Sequence, residues 1–379
     1  MNDARNLIRV LHVVASLGLG GTAKAMQLFA QHTDRRRFMP AVWSSAQGPR
    51  ENLLRESGIP LFIGGDLGAC AAQFKPHIVH VHRAGWPEPE LLRPLRAAFR
   101  PDPLCPDRRL PRIIETNVFG RHDPSPSGRL IDVTLLVSEF CAERLRVAEG
   151  RVIEAPRHRV LYNPVDVETY AALTPDPAER DRSGPVFGRV SRPDPGKWSM
   201  LTLEALPLVR RRVPEFTFLV IGGIAEAEAF VRAEGLEKHV LFLPPALTDE
   251  DLAGFFNRLS FFAHANNTGE SFGMVIAEAM AAGLPVVTHP CRDWRDNAQA
   301  ELVKDGVTGF VADGPQAYAE AVVRLLTDAS LCRAMGTAAR AEARARFEVR
   351  TLVRRLEAIY DEALSGSAIA CGIPAEKMP

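Results

Sequence analysis

Ile8–Ala15 is a short, mostly apolar block bounded by a glycine-rich turn, Ser16–Thr22, and it reads as a buried strand. From Ala23 to about His32 the period lengthens, with Met26, Phe29 and Ala30 on one side, so a helix follows the turn. Strand-like blocks recur at Ala41–Ser44, Pro60–Ile63, Ile78–His82, Ile113–Glu115, Val133–Ser138 and Val160–Tyr162. Helical stretches lie between several of them, including Pro89–Phe99 and Glu139–Ala148. Strands alternating with helices imply crossover units and a mostly parallel sheet, so residues 1–175 predict one α/β domain.

The pattern breaks between Leu173 and Pro185, a stretch rich in Pro, Asp and Arg that reads as a linker. It then restarts. Val186–Ser191 predicts a strand, Arg192–Lys197 a turn, Trp198–Arg212 a helix, and Phe216–Ile221 a strong strand stopped by Gly222-Gly223. Val240–Leu243, Leu259–Ala263 and Pro285–Thr288 predict further strands. Long helices follow over Pro315–Leu326, Ser330–Arg344 and Val349–Leu364. A second α/β domain over 182–346 is the result, with a small, polar tail at 365–379 that predicts fraying. The helix 349–364 carries an apolar face (Leu352, Leu356, Ile359, Tyr360) that needs a partner.

Composition narrows the class. The 379 residues suit two domains, and 46 % apolar with 24 % charged residues exclude disorder as the main character. No apolar run approaches the roughly 20 residues of a membrane span. The opening Met1-Asn2-Asp3 lacks a basic segment before its apolar block, so no signal peptide is expected. Six scattered cysteines (70, 105, 141, 291, 332, 371) without a CxxC pair predict thiols in a reducing cytoplasm. A formal net charge of zero disfavours a dedicated nucleic-acid binder. Residues 1–175 nevertheless carry 23 Lys and Arg against 18 Asp and Glu, and the remainder 23 against 28, which fits an anionic ligand met mainly by the first half.

Candidate chemistry concentrates in Gly269–Val287. A glycine-flanked loop holding Glu270 opens a helix holding Glu278, Gly283 ends it, and a buried strand follows. Were all eight steps helical, the two glutamates would lie about 12 Å apart along the axis, suited to two ends of an extended ligand with helix N–H groups between. Taken alone, Glu278 equally suits an acid placed by the helix dipole. Arg192 and Lys197 flank a Pro/Gly turn after a strand, where two cations can converge on one phosphate cluster, although taken alone the pair more readily reads as a solvated basic turn. The turn Gly18–Gly21 lets backbone N–H groups approach a pyrophosphate, but no Gly-Lys-Ser/Thr follows and the third glycine of GxGxxG is replaced by Ala23. Asp102-Pro103 and Asp176-Pro177 are linker dipeptides, so no metal site is expected.

Together these segments resemble a family 4 glycosyltransferase of the GT-B architecture, in which two Rossmann-like domains, each with a parallel sheet, face across a cleft. The resemblance covers nearly the whole chain, is strongest over 186–312, and implies that the helix 349–364 crosses back to the first domain with a hinge near Phe347. Its carriers are Glu270-x7-Glu278 with Ser-Phe-Gly and Glu-Ala-Met-Ala-x-Gly-x-Pro-Val-Val, Arg192-x4-Lys197, Leu161–Asp166 and Glu301–Phe310. It implies that Glu278 binds the ribose of a nucleotide-diphosphate sugar, a substrate rather than a cofactor. Glu270 would lie by the transferred sugar, and Ser271, Phe272, Gly273 and Met274 would offer backbone groups. Arg192 and Lys197 would hold the diphosphate, Gly20 and Gly21 would close over it, and the reaction would retain anomeric configuration without a metal.

Where the family often places a histidine after a first-domain strand, this chain has Asn117 or Val118. Asn117 can still hydrogen-bond a sugar hydroxyl and is therefore a catalytic candidate, with His82 and His122 as alternatives and Asn267 in the sugar pocket beside His264 and Asn266. Trp294, Asn297 and Gln299 are candidates for its border. The basic, amphipathic stretch 89–112 suits weak contact with the inner face of a membrane, or packing on the first domain's sheet. The acceptor is undefined. A nonhydrolysing sugar-nucleotide epimerase and an inactive sugar-nucleotide-binding protein are the alternative functions.

Overall fold

The computed structural model describes residues 7–99, 110–177, 179 and 185–366. Cys105, Cys371, Arg108, Arg109, Asp102-Pro103, most of the expected tail and part of the expected linker lie outside them. The chain forms two compact units, one from residues up to Val137, Ala142–Leu161 and Thr351 onward, the other from Ser138–Cys141 and Tyr162–Arg350.

The first unit is a seven-stranded sheet of β1 (Ile8–Ser16), β2 (Phe38–Ala46), β3 (Leu61–Ile63), β4 (Ile78–Arg83), β5 (Arg112–Asn117), β6 (Val133–Leu136) and β7 (His158–Val160). Their order is β3-β2-β1-β4-β5-β6-β7, with every described pairing parallel. The central strands are buried on both faces because helices cover both. Leu11, Val13, Val79 and Val81 pack with Leu91, Leu92 and Leu95 on one side, while Val14 and Val42 pack with Met26, Ala30 and Leu54 on the other. The apolar stripe of Pro89–Ala98 therefore lies in this core, leaving Arg93 and Arg96 exposed. In the last helix, Val349–Ser365, Leu352, Leu356, Ile359 and Tyr360 are buried, and Tyr360 Oη meets His80 Nδ1 at 2.7 Å.

The second unit is a six-stranded parallel sheet of β8 (Val186–Val190), β9 (Thr217–Ile221), β10 (Val240–Leu243), β11 (Phe261–Ala263), β12 (Val286–Thr288) and β13 (Gly309–Val311), in the order β10-β9-β8-β11-β12-β13. β13 is a strand that the apolar pattern of so short a segment does not announce.

The unit boundary falls at Leu161/Tyr162, ahead of the expected linker. The reason is physical. Val165 pairs its backbone with Phe347 and Val349, Tyr170 packs on Phe256, and the Arg340 guanidinium donates to Thr174 and to the Pro175 carbonyl. Helix Val167–Leu173 is thus part of the second unit.

Each sheet reverses its winding between two central strands, β1/β4 in one and β8/β11 in the other. In open parallel sheets ligands bind beyond the carboxyl ends of the strands at such a point. In the second unit this places the loop holding Lys197 beside the loop holding Glu270.

Candidate active site

The loop after β8 is built around Asp194, whose carboxylate accepts from Gly196 N at 2.9 Å and caps the short turn Pro195–Lys197. The loop after β11 is laced to it: Asn267 N donates to the Trp198 carbonyl at 2.9 Å, and Thr268 Oγ1 to the Gly196 carbonyl at 3.1 Å. Gly269 has φ +71°, and a Cβ there would come within 1.5 Å of the Asp296 carbonyl oxygen, so only glycine allows the bend that delivers Glu270.

Glu270 is held from every side. Its backbone N–H donates to Gln299 Oε1 at 2.9 Å, and its carbonyl accepts from Ala298 N at 2.8 Å. Its carboxylate accepts from Asn266 Nδ2 at 2.6 Å and His264 Nε2 at 3.2 Å, and pairs with Lys197 Nζ at 3.3 Å. Burial would raise the pKa of this carboxyl, but the His264 hydrogen bond and the Lys197 charge outweigh it and hold it at about 2. Burial pushes His264 down, so its ring is neutral at pH 7 and donates through Nε2. A carboxylate with so low a pKa does not take up a proton at neutral pH, so Glu270 suits accepting hydroxyl hydrogen bonds and facing positive charge, not general-base work.

Lys197 is half-buried, with 31 % of its side chain exposed, while Arg192 is exposed and has no side-chain ion pair among the described residues. Past Glu270 the helix Met274–Ala281 begins at Gly273, φ +99°, with no side-chain cap, which leaves first-turn N–H groups for an anion. Ser271 and Phe272 are buried, the Phe272 ring lying against Tyr162 and Phe347, and Glu278 is buried in the second turn of the helix. The non-helical segment 270–273 removes the premise of the 12 Å spacing.

Other candidates are placed differently. Asn267 is exposed, its carbonyl accepting from Arg295 Nη1 at 3.1 Å. Gln299 is fully buried and holds the backbone of Glu270, and Asn297 accepts from Cys291 N, so both act behind the loop. Trp294 is 39 % exposed. In the first unit Gly20 caps the helix Gly21–His32, and the space where its Cβ would stand is open. Asn117 is buried, and its amide is fully engaged: Nδ2 donates to the Arg121 carbonyl at 2.8 Å and Oδ1 accepts from Arg121 N at 3.2 Å. That corrects the expectation that it offers a hydrogen bond to a sugar hydroxyl. His82 is buried inside β4, stacked on His80 at 4.1 Å and bonded to His12 at 3.1 Å. His122 is half-buried, and burial lowers its pKa.

The ligand atoms of His12, His80 and His82 lie within 4.8 Å of one another, close enough for a metal by distance. His80 engages both ring nitrogens, with Tyr360 and Thr116, so a metal taking His80 would displace one of these bonds, whereas His12 Nε2 and His82 Nδ1 are buried without a hydrogen-bond partner among the described residues.

Sequence reasoning missed Arg189. It is fully buried in β8, its guanidinium 3.7 Å from the centre of the Trp198 ring, and it donates to the Lys197 carbonyl at 3.0 Å. Burial lowers its pKa to about 10, so it keeps its charge beneath the Lys197 loop at neutral pH. An arginine inside an otherwise apolar strand block was the available signal.

The fold and site together define a two-unit GT-B protein with an anion-ready loop pair in its second unit. Residues 184–328 match the model of a family described as "Glycosyl transferases group 1". The GDP-mannose-dependent alpha-(1-6)-phosphatidylinositol monomannoside mannosyltransferase of Mycolicibacterium smegmatis is 32 % identical over 258 residues, 63 % of this chain and 63 % of that one. The chain thus spans less than two thirds of this relative's length. The D-inositol 3-phosphate glycosyltransferase of Corynebacterium glutamicum is 25 % identical over 366 residues, 86 % of this chain and 83 % of that one. The solved structure of Anabaena HepE with UDP and glucose superposes with a TM-score of 0.71 at 20 % identity, over 94 % of this chain and all of that one, a likeness of fold.

Proposed function

We propose that the protein transfers a sugar from a nucleotide-diphosphate sugar to an acceptor hydroxyl, with retention of anomeric configuration and without a metal. The observation that carries this is the Lys197–Glu270 pair, 3.3 Å apart at the switch point of the second sheet and open to solvent on the lysine side. Breaking the bond between sugar and diphosphate builds negative charge on the leaving oxygens. Lys197, Arg192 and the N–H groups that open Met274–Ala281 stabilise that charge more in the transition state than before it. Glu270 orients the sugar by accepting its hydroxyls, and Glu278 accepts the ribose hydroxyls.

The relatives guide the donors to test: the mycobacterial one is named for GDP-mannose, and HepE was solved with UDP and glucose. No helix among the described residues is long and apolar enough to cross a membrane. We place the enzyme in the cytoplasm, where Cys70, Cys141, Cys291 and Cys332 remain thiols, with any membrane contact made through the exposed Arg93 and Arg96.

The test is nucleotide release from UDP-glucose and GDP-mannose, with myo-inositol phosphate or simple glycosides as acceptors, in the presence and absence of EDTA. Acceptor-dependent release that survives EDTA supports the reading. Conversion of the donor to an epimer without acceptor, or a rate restored only by Mg²⁺, contradicts it.

A further inference from the structure

The first unit has its own switch point, between β1 and β4, and the loop leaving β4 carries a tryptophan there. Trp86 is 46 % exposed. Phe119, two residues past the end of β5, lies against one face of its indole, with centroids 5.1 Å apart and planes within 8°. A large aromatic ring left exposed at the carboxyl end of a parallel sheet calls for an occupant.

The ring stands on a rigid base. Arg83, at the end of β4, donates to the Trp86 carbonyl at 2.5 Å and is fixed by Glu115 at 2.7 Å and Asp123 at 3.2 Å. Val118 N and Phe119 N donate to the carbonyls of Arg83 and Ala84, and Ala84 N donates to the Glu88 carboxylate at 2.9 Å. Gly85 has φ +105°, and the Asn117 amide occupies the place of its missing Cβ, 2.2 Å away. That packing explains why Asn117 is buried: it shapes the loop that presents Trp86.

The surroundings discriminate between occupants. In the segments 84–90 and 118–123, Trp86 is the one exposed large apolar side chain. Polar side chains lie near it in sequence: Glu88 on its own loop, Glu90 in the first turn of Pro89–Ala98, and Arg121, paired with Glu149 at 2.8 Å, and His122 in the segment after β5. A lipid chain needs a broad apolar surface, which these segments lack. A saturated polyhydroxylated ring needs one flat apolar patch for its C–H face and hydrogen-bonding groups for its rim.

We propose that Trp86, backed by Phe119, is the acceptor platform, and that the acceptor presents a sugar or cyclitol ring to it. The proposal rests on the transfer reaction proposed above and supplies its acceptor class.

Saturation-transfer NMR on the full chain tests it, with methyl α-D-mannopyranoside, myo-inositol and decanoate as separate probes. Transfer to ring C–H protons of either polyol is expected, weakened about tenfold or more in Trp86→Ala and partly kept in Trp86→Phe. The melting temperature and the binding of UDP and GDP should be the same in both variants. Polyol signals indifferent to Trp86→Ala, or Trp86-dependent binding of decanoate alone, would overturn the proposal. Trp86-dependent polyol binding by a protein that binds neither UDP nor GDP would overturn the transferase reading and the acceptor role, while leaving ring docking intact.

Discussion

Arg83 in the first unit and Lys197 in the second both meet carboxylates at the carboxyl end of a strand or in the loop beyond it, beside their sheet's switch point. The Arg83 guanidinium is 1 % exposed and is enclosed by Glu115, Asp123 and, at 3.8 Å, Glu88. Lys197 has one carboxylate partner, Glu270, and nearly a third of its side chain remains exposed. The same topological place is therefore closed by the protein's own ions in one unit and left with an open cationic side in the other. A closed cluster fixes a loop, as it fixes the one carrying Trp86. An open one is available to an outside anion.

The sharpest way to break the comparison is to remove each cation. Arg83→Met leaves Glu115 and Asp123 buried without their counter-charge, a loss of about 3–5 kcal/mol. Chemical denaturation should show the first unit unfolding early. A variant as stable as the parent would show that the cluster does not hold the loop.

Lys197→Ala should cost less stability than Arg83→Met, since Glu270 keeps Asn266 and His264, and should cut kcat by about 10²–10³, because it removes a charge aimed at the leaving diphosphate. Arg192→Ala should act in the same direction, since Arg192 contributes charge from an exposed position. Steady-state kinetics with a saturating donor separates these outcomes, and a Lys197→Ala enzyme of normal kcat would reduce the pair to a surface salt bridge.

The units also differ in acid. His12, His80 and His82 are buried, and burial lowers the pKa of each, His12 to about 3. The unfolded chain therefore binds more protons than the folded one below about pH 6.5, and the first unit loses stability as pH falls, by roughly 1.4 kcal/mol per pH unit per histidine. His264 adds to the same slope in the second unit. Glu270, held at about 2, adds stability that is present above the unfolded value near 4.5 and lost as pH falls from there to about 2. Thermal melts from pH 7 to pH 4 should show the first unit failing sooner, and a pH-independent melt would contradict the neutral histidine cluster.

The meeting of the two loops of the second unit was legible because their residues sit in two contiguous segments, 192–197 and 270–278, whose glycines and prolines announce turns at strand ends. The alternation of apolar blocks likewise revealed both parallel sheets. Arg189 was not legible as part of the site, since its role depends on a Trp198 ring nine residues on that folds back over it. The Arg83 cluster joins β4, the following loop, β5 and the segment around Asp123, and no local spacing encodes such a meeting. Asn117 was read as a ligand because its residue type allows it, but the neighbouring Gly85 and Arg121 claim its amide. The boundary at Leu161/Tyr162 was hidden for a related reason: a polar, proline-rich stretch looks like a linker even where Arg340 anchors its start.

The account stands or falls on a diphosphate being the anion that the second unit's open site receives. Calorimetric titration of UDP, UMP, GDP and GMP into the parent protein and into Lys197→Ala tests this directly. The account predicts that at least one diphosphate binds about tenfold or more tighter than its monophosphate and that Lys197→Ala abolishes the preference. A preference undiminished in that variant, or equal binding of di- and monophosphates by the parent, would contradict it.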